Sequence, residues 1–128
     1  MAKGIEIREA HFPGRAPIDA YGNGGFRFAD MSHRGSILCL PSGIHGWDKE
    51  EGEPLVLADL RRVLEEAGEI EVLLVGTGRE IRPLPAEIRA SLRGHRIISD
   101  PMSTGAAVRT FNVMLAENRA VAAALVAV

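Results

Sequence analysis

Residues 103–128 read STGAAVRTFNVMLAENRAVAAALVAV, and the way this stretch divides decides the fold. Alanine dominates it and invites one long helix. Ser103 or Thr104 supplies an oxygen that can cap a helix start, and Ala107, Phe111, Met114 and Leu115 then line one apolar stripe. Asn118 tolerates the left-handed conformation that closes a helix, and Arg119 sets a positive charge near the negative end of the helix dipole. What remains, AVAAALVAV, is about half the length of a membrane-spanning helix and reads as a final buried strand, even though alanine is a poor strand former.

Upstream, residues 71–85 read EVLLVGTGREIRPLP. The run IEVLLV is short and branched, as suits a central strand covered on both faces. Pro85 then sits near a helix start, Ile88 and Leu92 share a face, Gly94 ends that helix, and HRIIS reads as the next strand. Before them comes a loop, PSGIHGWDKEEGEP, and a helix over roughly 55–67, where Leu57, Leu60, Leu64 and Ala67 recur at helical spacing and Gly68 is the stop. The N-terminal third holds short runs between glycines and prolines: IEIREAHF, IDAYG, GFRFAD and GSILCLP. Asn23-Gly24-Gly25 suits a hairpin joining Ile18–Tyr21 to Phe26–Phe28. From residue 35 the order strand, helix, strand, helix, strand, helix, strand predicts an α/β layered architecture within a single domain spanning 1–128.

Composition narrows the partners. With 15 basic and 17 acidic residues and 5% aromatics, the chain lacks both the charge and the stacking platforms of a nucleic-acid binder. Cys39 is the sole cysteine, which fits a reducing, cytoplasmic location, and as a thiol in an apolar strand it reads as an inert hydrophobe. His11, His33, His45 and His95 show no ligand spacing, so no metal or other cofactor is expected. MAKGIEIREA lacks the apolar run of a signal peptide, and direct membrane insertion is not expected.

In an open α/β sheet, ligands gather beyond the carboxyl ends of the strands, where PSGIHGW, GTGRE and SDPMST fall. Gly76-Thr77-Gly78 lacks the third glycine of a dinucleotide fingerprint, since Ile81 stands there, and lacks the Gly-Lys-Ser/Thr of a phosphate loop. A structural turn is the first reading of this tripeptide, and an anion cradle formed with the helix start at Thr104 is the second. Arg109 and Asn112 share a helix face and can reach a neighbouring loop; the first reading is a surface Arg beside an Asn that pins a loop carbonyl, and a ligand contact is the second. Gly76, Thr77, Gly78, Thr104, Arg109 and Asn112 are thus the candidate ligand-binding set. His45 and Trp47 read as an exposed contact pair in a glycine loop. Arg79, Arg82, Arg89, Arg93 and Arg96 outnumber Glu80 and Glu87; a solvated helix face is the first reading of this strip, and a dock for an acidic partner is the second. His45, Trp47, Arg89 and Arg93 form the candidate interaction surface. No catalytic set emerges from local spacing, although one assembled from distant residues is compatible with the sequence.

The blocks IDAYGNGGFRF, GSILCLPSGIHGW, VLLVGTG and MSTGAAVRTFNVMLAENRAVAAAL, in this order, cover nearly the whole chain. Together they resemble the small domain family that includes mitochondrial complex I assembly factor 3 and the adipogenesis-associated Mth-type domain protein, with many bacterial members. Phe111 stands where that family often has Tyr, which removes a hydroxyl, and Asn118 where it often has Gly. The resemblance implies three layers around a central mixed sheet, with the last strand antiparallel to its neighbours. It implies no established reaction. It implies instead a non-enzymatic protein-interaction module, an accessory to respiratory or membrane-protein complex assembly whose partners are subunits of that complex. The alternative is a small-molecule or anion-binding protein, or an enzyme, with its site at Gly76–Gly78 and Thr104. A homodimer is compatible with the apolar chain and its short edge strands.

Overall fold

The computed structural model describes residues 12–128, so the run IEIREAHF falls almost wholly outside the described residues. Nine strands are assigned among them: β1 Phe12–Pro13, β2 Ala20–Gly22, β3 Gly25–Phe28, β4 Met31–Arg34, β5 Ser36–Leu40, β6 Gly43–Trp47, β7 Val72–Gly76, β8 Ile98–Met102 and β9 Val121–Leu125. The α-helices are α1 Arg61–Glu65, α2 Ala86–Gly94 and α3 Thr104–Ala116. A six-stranded mixed sheet runs in the order β1-β6-β5-β9-β7-β8, and β2-β3-β4 form a separate antiparallel sheet.

The central sheet separates two cores, and the alternation of side chains along its strands feeds both. Ile37, Cys39, Leu74, Val121, Ala123 and Leu125 point to one face, where Phe26 and Phe28 of the small sheet and Val108 and Phe111 of α3 cover them. Leu38, Leu40, Leu73, Val75, Ala122 and Ala124 point to the other, beneath Leu60, Val63, Ile88 and Leu92. The alanines of β9 follow from this arrangement. A strand buried on both faces between a helix layer and a second sheet has little room for side chains, and packing overrides weak strand propensity.

The division at Asn118 matches the backbone: α3 ends at Ala116, Asn118 has φ 62°, and the Arg119 N–H returns to Met114 O at 3.0 Å. Ser103, not Thr104, is the cap, its hydroxyl accepting from Ala106 N at 3.4 Å. The antiparallel expectation for the last strand holds on one side only, since β9 runs antiparallel to β5 but parallel to β7.

Four further details differ from the sequence expectation. The hairpin at Asn23-Gly24 has a third strand, β4, which pairs Phe26 with His33 and Phe28 with Met31. The loop expected over PSGIHGW is largely β6, because Ile44 and His45 pair with Cys39 and Leu38 across a turn at Pro41-Ser42. The helix expected over 55–67 is short and broken: α1 is flanked by 3₁₀ turns at Leu57–Leu60 and Ala67–Glu69, and Gly68 lies inside the second. β8 also starts later than HRIIS implies, because Arg96 takes a left-handed φ of 63° beyond α2. Pro101 fits within β8 because that strand is an edge.

Candidate functional site

The carboxyl end of β7 has two sides with different chemistry. Toward α3, Gly76 lies so close to the helix start that an added Cβ would stand 2.9 Å from Thr104 Cα and 3.1 Å from a Leu125 methyl. Thr104 is fully buried. Its hydroxyl donates to Val126 O at 2.7 Å and accepts from Gly78 N at 3.0 Å, while its backbone N–H donates to Gly78 O at 2.8 Å. Thr77 Oγ1 lies 2.7 Å from Glu80 O and accepts from Arg82 N at 3.0 Å. Gly78 has φ 116°, which suits glycine and turns the chain back over the helix. The structure therefore brings Gly76, Thr77, Gly78 and Thr104 together, with the donors an anion would use engaged inside the fold. The hydroxyl of Tyr21, on the small sheet, also stands against Gly105 at the same helix start.

Arg109 and Asn112 do not join this group. Arg109 is exposed on α3, whereas Asn112 is fixed to β2's approach: Ile18 N donates to its Oδ1 at 2.9 Å and its Nδ2 donates to Ile18 O at 2.8 Å. That pair of bonds ties the helix to the start of the small-sheet segment. Cys39 is buried, and burial pushes its thiol well above the ordinary range, which leaves no reactive thiolate.

On the other side of β7, toward α2, lies a crevice of about 350 Å³ between the 49–55 loop and the 82–85 segment, with Val75 and Val126 at the strand ends. Trp47, Leu84 and Pro85 also line it. The two loops are fastened to each other at Gly78, where Glu51 accepts from Arg79 N at 2.7 Å and pairs with the Arg79 guanidinium. Lys49, also in the lining, is nearly buried; its ammonium meets Asp59 Oδ2 at 2.8 Å and donates to Pro54 O at 2.9 Å. Burial alone would raise the Asp59 carboxyl. The Lys49 hydrogen bond, the Val56 N–H and the Lys49 charge outweigh it and hold Asp59 below its usual value.

The structure gives His45 and Trp47 different degrees of burial. They sit on β6, not in a loop, and His45 is buried with Nε2 2.9 Å from Ser42 Oγ, which donates to Glu66 Oε2 at 2.6 Å. The expected exposed pair is thus corrected: both side chains take the face of Leu38, and His45, opposite Leu38 within the strand, is buried. Trp47 is half-buried, its indole N–H donating to Asp59 O at 2.9 Å, and one ring face remains for the crevice. Arg89 and Arg93 are exposed on α2, and Arg89 reaches Leu84 O at 3.5 Å, next to the residues Trp47 faces. Sequence reasoning missed Lys49, Asp59 and Leu84. Lys49 and Asp59 meet only because β6 and the 3₁₀ turn converge, although the RPLP segment after a strand was a visible sign of a rigid wall.

A family profile described as "Protein of unknown function (DUF498/DUF598)" matches residues 18–126. The chain belongs to this family. A Rhodobacter capsulatus relative is 40% identical over 92% of this chain and 90% of its own length. The NADH dehydrogenase [ubiquinone] 1 alpha subcomplex assembly factor 3 of Danio rerio is 30% identical over 95% of this chain, which spans 70% of that protein; the mouse counterpart is 25% identical, and 66% of it is spanned. Among solved structures, one described as an outer membrane protein from Bartonella henselae is 68% identical, with a TM-score of 0.88 over 91% of this chain and 98% of that one. A Mth938-like domain from Bordetella pertussis is 25% identical, with a TM-score of 0.77 over 88% of this chain and 85% of that one. Among the described residues of this chain, no helix is long and apolar enough to cross a membrane.

Proposed function

We propose that this chain is a non-enzymatic, cytoplasmic protein-interaction module that assists the assembly of a multisubunit respiratory or membrane complex. The observation that carries the reading is the similarity to complex I assembly factor 3 across 95% of the chain, including the segments that build both sides of the β7 terminus. The engaged polar groups around Thr104 support it, because motif residues turned inward hold a fold instead of acting on a substrate. The contact surface we assign is α2 with Arg89 and Arg93, continued by Arg82 and Trp47 at the crevice mouth, and its partner is an acidic face of a complex subunit. His45, being buried, is not part of it.

The test is affinity capture of the tagged protein from gently solubilised cells of its source, with the Trp47→Ala, Arg89→Glu, Arg93→Glu variant alongside. Wild type should recover subunits of one membrane complex that the folded variant leaves behind. Equal recovery by both would remove this surface from the proposal, and recovery of no complex subunit would remove the assembly role itself. Size measurement of the purified chain tests the expected homodimer in the same preparation.

A further inference from the structure

The crevice beside Trp47 lies where the chain leaves two adjacent parallel strands in opposite directions. From β7 it passes to α2 on one face of the sheet. From β9 it passes toward the small sheet on the other, where Val128 O accepts from Gly24 N at 2.8 Å. Such a divergence opens a gap at the strand ends that neither connection fills, and ligands of α/β proteins collect there. The volume of about 350 Å³ falls within the range of small-molecule pockets.

Its chemistry is divided. Trp47, Val75, Leu84 and Val126 give an apolar interior. Lys49 offers an unused donor: of the three N–H groups of an ammonium, two go to Asp59 and Pro54, and the third has no acceptor among the described residues. Arg82 lines the same cavity from the facing segment. Glu50 and Glu53 line it from the 49–55 loop, and both are exposed. Lys49 is already neutralised by Asp59, so Arg82 against Glu50 and Glu53 leaves the cavity with no excess of positive charge. A simple anion is therefore poorly matched, and so is a simple cation beside Lys49 and Arg82. A molecule carrying both charges satisfies both sets.

We propose that this crevice is a binding site for a short zwitterion with an apolar body, a dipeptide being the simplest example. Its carboxylate takes the spare Lys49 N–H and the Arg82 guanidinium, its ammonium lies toward Glu50 and Glu53, and its side chains pack on Trp47 and Leu84. The site adjoins the partner surface on α2 and shares Trp47 and Arg82 with it, while the ligand enters the gap between the loops.

Trp47 is the only tryptophan in the chain, so its emission reports directly on this cavity. The experiment titrates the whole protein with leucyl-leucine, its N-acetyl form, its C-terminal amide and the doubly blocked form, following Trp47 fluorescence and amide chemical shifts. Leucyl-leucine should give a saturable change with shifts confined to the 47–55 and 75–85 segments, and each single block should weaken binding about tenfold, the loss of one ion pair. Arg82→Gln should reduce the discrimination against the amide, leaving the share carried by Lys49, and Glu50→Gln with Glu53→Gln should abolish the discrimination against the acetylated form. These side chains are exposed, so the variants should fold as wild type, which unchanged urea midpoints would show. Absence of a saturable change at millimolar dipeptide overturns the proposal. So does binding of the doubly blocked peptide as tightly as the free one, which would mean that the crevice takes the interior of a polypeptide.

Discussion

The two sides of the β7 terminus, only a strand's thickness apart, treat polar groups in opposite ways. Toward α3, Thr104 is fully buried and its hydroxyl bridges Gly78 N and Val126 O, so the turn, the helix start and the last strand close on one oxygen. Toward α2, the corresponding space is open, and the nearly buried Lys49, paired with Asp59, is part of its lining. Close backbone approach is what glycine makes available, and here that approach is used to seal the fold. The residues that look like a ligand motif are the ones the protein closes, whereas the open space is walled by residues with no motif at all.

If that contrast is right, damage to the closed side should be costly. Thr104→Val keeps the shape but leaves a buried N–H and a buried carbonyl without their partner. At about 1–3 kcal/mol for each such group, the expected loss is about 3 kcal/mol in urea unfolding. A loss under about 1 kcal/mol would mean that the turn rearranges and is not sealed. Gly76→Ala should cost somewhat less, about 2 kcal/mol, because its Cβ meets backbone at 2.9 Å and forces strand and helix apart. Smaller again is Asn118→Ala, which places an ordinary side chain in a left-handed backbone and should cost about 1 kcal/mol, with Asn118→Gly neutral or slightly stabilising.

How much of this was legible in the sequence follows the range of the interactions. The helix end at Asn118 was readable because the signal is local: one residue whose amide tolerates φ 62°. The strands β5 and β7 were readable for the same reason, as short apolar runs bounded by turn residues. β6 was not, because Gly43 and Gly46 imitate a loop and its strand character comes from pairing with β5 across the Pro41-Ser42 turn. Once β6 is a strand, His45 and Trp47 share the face of Leu38, where His45 is buried and Trp47, at the strand's end, is half-buried, so one missed element misplaced half of the expected contact pair. The candidate ligand set failed to converge in a similar way. Arg109 and Asn112 share a helix face by spacing, and Asn112 pins a carbonyl as the first reading had it, but its partner is Ile18, 94 positions away, a choice no local pattern announces. Lys49 and Asp59 are the converse: separate in sequence and joined only by the fold.

The smallest expected effect sharpens the contrast through pH. The groups that close the Thr104 side do not titrate, so the cost of Thr104→Val should be the same at pH 7 and at pH 4. The crevice wall depends on an ionised Asp59 whose pKa is lowered in the folded chain. A carboxyl held below its unfolded value, near 3.9, contributes stability that is fully present above that value and is lost as pH falls through the folded one. Asp59→Asn removes this contribution and leaves the Lys49 ammonium without its counter-charge, so the variant should be less stable than wild type at neutral pH. As pH falls below the unfolded value, the unfolded chain takes up the proton before the folded one, and the urea midpoints of the two proteins should begin to converge. Midpoint curves that stay parallel from pH 7 to pH 3 would mean that Asp59 carries no charge-dependent share, and the wall of the crevice would then be as insensitive to pH as the sealed side.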